Sequence, residues 1–151
     1  MNWIILTLAL TACTINCSAQ ASVTDTTEYI FYRNRIKTQT LFLDLNPENT
    51  SALLERSFYL QKIQDFSRSI EDLDLFIELR PDDYRAIAMR GVSKYCNRNS
   101  EGAIEDFTRT IAMGLESYEV YELRSNAYRK IGNEDKSAED FKTGLKLKRK
   151  K

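Results

Sequence analysis

The sequence contains no histidine. Histidine is the commonest general base in enzymes and the commonest metal ligand, so its absence removes both roles together. The chain also lacks a glycine-rich phosphate loop, a Cys-x-x-Cys pair and a calcium-binding loop. Adjacent carboxylates such as Glu71 and Asp72 point about 100° apart on a helix, so they cannot flank one substrate bond. We therefore expect a non-catalytic protein with no cofactor and no metal site.

Residues that break regular structure are scarce. The chain of 151 residues has five glycines and only two prolines, Pro47 and Pro81. Leu, Ile, Glu, Lys and Arg are frequent, and this composition favours long helices over strands and tight turns. The length suits one ordinary domain with a modest core.

No apolar run is long enough to span a membrane as a helix. The run Trp3–Ala12 lies close to the N-terminus and small polar residues follow it, which is the layout of a secretory signal peptide. We predict a signal peptide over residues 1–21. Two processing routes remain open: ordinary cleavage near Ala19–Ala21, or cleavage at the lipobox-like Leu10–Cys13 with lipidation of Cys13.

The predicted product is therefore exported. We expect it in the periplasm or outside the cell, or alternatively attached to the membrane by the lipid on Cys13. Residues 22–31 are mostly polar and threonine-rich at their start, and we predict that they form a linker.

Positive and negative charges are equal in number, but the basic residues are concentrated at the C-terminus. Basic and acidic residues number 22 each, and five basic residues lie in the last six, Lys146–Lys151. A short basic tail is usually a solvated helix end, and an anionic contact is the less favoured alternative. We expect no nucleic acid partner.

A period of 34 residues runs through the sequence. It relates Pro47 to Pro81, and it aligns the three segments 70–73, 104–107 and 138–141, which share an acidic pair before a leucine or phenylalanine. Fixed periods of this length are typical of stacked helical repeats. Amphipathic spacing within each period predicts helix pairs at 50–62 and 66–79, 84–96 and 101–113, and 118–131 and 135–148.

This pattern resembles the tetratricopeptide repeat. The resemblance implies an all-α, right-handed solenoid of helical hairpins with three repeats, at residues 50–83, 84–117 and 118–151. Residues 32–49 resemble a degenerate half-repeat, and we predict that Tyr32–Leu45 is a helical cap packed on the first repeat. The first repeat departs from the family pattern, with Gln64 where a turn glycine is usual and Phe76 where a small residue is usual.

The periodic residues have expected structural roles. Small residues at 57, 91 and 125, facing those at 69, 103 and 137, would allow close approach of paired helices. Large residues at Leu73, Phe107 and Phe141 would fill the space between hairpins. Arg56, Arg90 and Arg124 recur with Asp72, Asp106 and Asp140. An anion-binding ladder is one interpretation of the arginines, and pairing with the aspartates is the favoured one.

In this family the first helices line a concave groove that binds protein or peptide. By alignment with the pattern, the groove candidates are Leu54, Phe58, Gln61, Ala88, Val92, Tyr95, Glu122, Asn126 and Arg129. The first two repeats thus offer an apolar wall and the third a polar end. The lysine and asparagine clamp that some members use for a terminal carboxylate is absent. An alternative is that the segment Tyr29–Tyr32 covers the groove.

The favoured function is a scaffold or adaptor in the cell envelope that binds another protein or peptide. The alternative is a structural module that associates with itself, because no extra capping helix follows the last repeat.

Overall fold

The computed structural model describes residues 26–149 of the chain, and the predicted signal peptide 1–21 and Cys13 lie outside this part. Seven α-helices make up the described residues, and none of these residues lies in a strand. The helices are α1 Thr26–Leu45, α2 Thr50–Lys62, α3 Phe66–Leu79, α4 Tyr84–Cys96, α5 Ser100–Ala112, α6 Tyr118–Lys130 and α7 Glu134–Lys148.

Each helix from α2 onward is preceded by a polar residue whose side chain caps it. The capping oxygen accepts a hydrogen bond from a backbone N–H in the first turn, which would otherwise have no partner. The capping residues are Asn49, Asp65, Asp83, Asn99, Ser117 and Asn133. Because each cap is encoded locally, the sequence defines where these helices start.

The predicted helix pairs are confirmed, with every boundary within one residue of its expected place. The helical cap is confirmed too, since Tyr32–Leu45 is helical and packs on α2. The predicted linker is wrong in part. The first helix already begins at Thr26, so residues 26–31 are helix.

The helices stack in chain order, each packed on the one before and the one after it. Hairpins α2–α3, α4–α5 and α6–α7 form the stack, with α1 at one end and α7 at the other. Ser57, Ser69, Ala103, Ser125 and Ser137 are buried, as expected of small residues where paired helices approach. At Gly91 the paired helices α4 and α5 approach so closely that an added Cβ would lie 2.8 Å from Cε1 of Phe107.

One expected core residue is not in the core. Leu73 and Phe107 are 0% exposed, but Phe141, one period later, is 49% exposed. The prediction that Phe141 fills a space between hairpins is wrong, since no described hairpin follows α7. Its ring therefore lies on the end of the stack.

Within residues 26–149, none of the helices combines the length and the apolar character needed to cross a membrane.

Gln64 lies in the turn between α2 and α3 with a left-handed backbone, at φ 62°. The same position in the third repeat is Gly132, at φ 78°. In this backbone conformation a residue with a side chain destabilises the folded state by about 1–2 kcal/mol. Glycine removes this strain, but it also raises the conformational entropy of the unfolded chain, which offsets part of the gain in stability. We expect Gln64→Gly to raise the free energy of unfolding by about 0.5–1 kcal/mol, measured by urea denaturation.

The matched control is Gly132→Ala. An added Cβ at Gly132 would meet no atom within 4 Å, so the backbone strain alone should lower stability. A loss of stability in Gln64→Gly would contradict the prediction.

Candidate binding surface

The three periodic arginines are paired inside their own hairpins. Each guanidinium donates two hydrogen bonds to one carboxylate, 16 residues ahead on the second helix. The N···O distances are 2.6–2.8 Å for Arg56 and Asp72, 2.7–2.9 Å for Arg90 and Asp106, and 2.7 Å for Arg124 and Asp140. The aspartates are buried. The favoured interpretation, pairing with aspartate, is confirmed.

The remaining terminal nitrogen of each arginine contacts the hairpin or cap before it. Nη1 donates to an acceptor 16 residues earlier: Thr40 for Arg56, Asp74 for Arg90 and Thr108 for Arg124. The hydrogen bonds to Asp106 raise the pKa of Arg90, although burial opposes this. Three of the five N–H groups of each guanidinium are thus engaged, and the arginines join neighbouring helices of the stack.

The groove candidates of the middle repeat are buried. Ala88 is 0%, Val92 2% and Tyr95 8% exposed. Val92 and Tyr95 belong to the core cluster that also contains Leu123 of α6, and the Lys130 ammonium lies 4.0 Å from the centre of the Tyr95 ring. The prediction that Val92 and Tyr95 form an accessible apolar wall is therefore wrong.

In the first repeat the candidates are half-buried. Gln61 joins two hairpins, since its amide donates to the Met89 carbonyl at 3.0 Å and to Ser93 Oγ at 2.8 Å. Leu54 and Phe58 pack beside the core cluster around Leu73. Gln61, Leu54 and Phe58 therefore contribute to packing within the stack. A binding role for these three residues stays a prediction.

The segment Tyr29–Tyr32 contacts Tyr59, the neighbour of Phe58 on α2. The ring of Tyr59 meets Phe58 and Phe31 edge-on, with centroids 5.4 Å and 6.3 Å away, and lies 6.1 Å from the tilted ring of Tyr32. The cap thus joins an aromatic cluster at the end of α2. The alternative that the segment covers the expected groove stays a prediction.

The third repeat supplies the polar end that the sequence predicts. Glu122 accepts a hydrogen bond of 2.6 Å from the Tyr118 hydroxyl. This hydrogen bond is the largest cause, and burial the second, of the rise in the pKa of Tyr118 to about 12. The Arg129 guanidinium donates to the Asn126 side chain. Arg129 is exposed, and Glu122 and Asn126 are half-buried.

Two accessible apolar surfaces were missed by the sequence analysis, and both lie at ends of the stack. One is the outer side of α1, where each of five large apolar side chains is at least 50% exposed: Ile30, Phe31, Leu41, Phe42 and Leu45. The other is the outer side of α7 around Phe141. The helical spacing of the five residues in α1 was a signal available in the sequence.

Solved structures share this architecture. MamA 41-end from Desulfovibrio magneticus RS-1 superposes with a TM-score of 0.76 at 16% sequence identity, over 97% of this chain and 75% of that chain. A crystal structure of MamA gives 0.75 at 21% identity, over 84% and 75% of the two chains. The structure titled MamA MSR-1 C2 gives 0.75 at 13% identity, over 97% and 94%.

No protein-family model matches the chain, and no curated protein matches it either. The likeness is therefore one of fold. On these grounds the chain has the helical-hairpin solenoid fold of the tetratricopeptide-repeat type.

Proposed function

We propose that the protein is a non-catalytic scaffold that binds another protein or peptide, and that the outer side of α1 is part of its binding surface. The observation that carries this is a set of exposed apolar side chains on α1, with Ile30 and Phe31 near its start and Leu41, Phe42 and Leu45 at its end. Groups of exposed apolar side chains on a soluble protein often mark partner sites.

The two sides of α1 differ sharply. Ile36, Gln39 and Leu43 are buried. Arg35 donates a hydrogen bond to the Tyr59 hydroxyl of α2, and Gln39 donates one to Glu55. This side fixes α1 to the stack. At 100° per residue Ile30, Leu41, Phe42 and Leu45 fall on the other side, and Phe31 lies at its edge, where its ring also contacts Tyr59.

The partner we expect is an apolar segment of another protein, because apolar anchors dominate binding energy when a partner covers them. The partly accessible Leu54 and Phe58 and the polar end at Glu122, Asn126 and Arg129 remain as further proposed contacts in the same solenoid.

Photo-crosslinking in cells tests the proposal. A photoreactive amino acid is placed at Leu41 or Leu45 on α1, or at the exposed Ser67 on α3 as the control. We expect a discrete crosslinked product with another protein from the two α1 positions and none from position 67. The proposal fails if the α1 positions give no product, or if all three positions give the same products.

Self-association is the second candidate, and the exposed Phe141 at the opposite end favours it. Copies could then meet through their stack ends. Light scattering of the mature protein separates the candidates, because a strict monomer at high concentration excludes self-association.

We also propose that the protein is located in the cell envelope. This location is supported by the apolar run Trp3–Ala12 near the N-terminus. Cell fractionation with measurement of the mature mass tests it. A cytosolic product that keeps Met1 would end the proposal, and a diacylglycerol adduct on Cys13 would show lipidation.

A further inference from the structure

The contacts between successive repeats follow one rule. An arginine of the later repeat donates Nη1 to an oxygen on the helix before it: to Thr40 Oγ1 at 3.2 Å, to Asp74 Oδ1 at 2.7 Å and to Thr108 Oγ1 at 3.0 Å. These three acceptors are themselves 34 residues apart. Each junction in the stack therefore places an acceptor where the next arginine arrives.

The next residue at this repeat position is Lys142, which is exposed on α7. A lysine ammonium only donates, and it is positive, so it repels an arginine where Thr40, Asp74 and Thr108 attract one. The outer side of α7 is therefore unsuited to a further repeat of this chain's own type.

The apolar part of the junction surface is kept at this end. Phe141 takes the repeat position of Leu73 and Phe107, and half-buried Leu145 takes that of Ile77 and Ile111. Two apolar side chains thus border a positive charge. The described residues of the last repeat, 118–149, are slightly basic, with eight basic and six acidic residues.

We infer that the outer side of α7, formed by Phe141, Lys142 and Leu145, binds an amphipathic helix of another protein. The partner helix sets apolar residues against Phe141 and Leu145. It carries a carboxylate at the place where this chain's own first helices carry arginine, and that carboxylate meets Lys142. The inference rests on the proposed scaffold function. It adds the outer side of α7 as a second binding surface and states the chemistry of the partner that this surface selects.

The probes are two synthetic peptides with the sequence of α6, residues 118–130, because α6 covers the matching surface of α5. One peptide keeps Arg124 and the other carries Arg124→Glu. Each is titrated into the isotopically labelled full chain, and amide chemical shifts report both the site and the affinity. We expect the Glu peptide to shift resonances around residues 141–145 and to bind about fivefold more tightly, the size expected of exposed charge pairs.

Charge reversal supplies the decisive comparison. In the Lys142→Glu protein the preference should invert, so that the Arg peptide binds more tightly. The matched control is Lys136→Glu, which changes the net charge equally on α7, where the Lys136 ammonium lies 5.5 Å from the centre of the Tyr128 ring. This control should leave the preference unchanged.

Equal binding of the two peptides, no binding, or shifts away from α7 would overturn the inference. Broadening around residues 141–145 that grows with protein concentration and without peptide would also overturn it, because a second copy would then occupy this surface. The crosslinks from α1 are independent of these outcomes, so a failure here is distinct from a failure of the scaffold function.

Discussion

Replacing Arg90 with methionine should lower the free energy of unfolding by about 3 kcal/mol. The Arg90 side chain is 16% exposed and its partner Asp106 is 4% exposed. Removing the guanidinium leaves Asp106 buried with Lys94 as its remaining cation, 2.9 Å away. It also removes the bond to Asp74 that joins two hairpins. Urea denaturation followed by circular dichroism measures the change.

Asp74→Asn is the matched control for this result. Asp74 accepts a bond from the same guanidinium at 2.7 Å, but its side chain is 49% exposed. Water screens this pair, so the variant should cost less than about 1 kcal/mol. If Arg90→Met costs no more than Asp74→Asn, the buried pair with Asp106 does not stabilise the stack as described.

The second large effect is expected at Phe107. Its ring is 0% exposed, and it fills the space above Gly91, where an added Cβ would come within 2.8 Å of the ring. Truncation to alanine removes this packing and leaves a cavity between hairpins. We expect Phe107→Ala to lower the free energy of unfolding by about 3–5 kcal/mol, again by urea denaturation.

Phe141→Ala is the same substitution one repeat later, and it makes a direct comparison. Phe141 is 49% exposed at the end of the stack, so we expect a loss below about 1 kcal/mol. Similar losses for the two variants would show that Phe141 is covered, and the surface proposed on α7 would then not be available to a partner.

The sequence by itself determined the parts of this protein that depend on local chemistry. The capping residues, the amphipathic spacing and the 34-residue period placed six of the helices within a residue of their observed ends. The pairing of Arg56, Arg90 and Arg124 with aspartates was also predictable, because a repeat imposes the same spacing on both partners. The sequence also indicated the turn at Gln64, because this residue stands where the repeat pattern usually has a glycine, and its backbone is left-handed.

Only the tertiary structure decided which of these residues a partner can reach. Phe107 and Phe141 hold the same repeat position, yet one is core and the other surface, because the first has a hairpin beyond it among the described residues. Val92 and Tyr95 were expected on an open wall and are buried among side chains that include Leu123. Burial depends on neighbours distant in sequence, whereas helix formation depends on residues three and four positions apart.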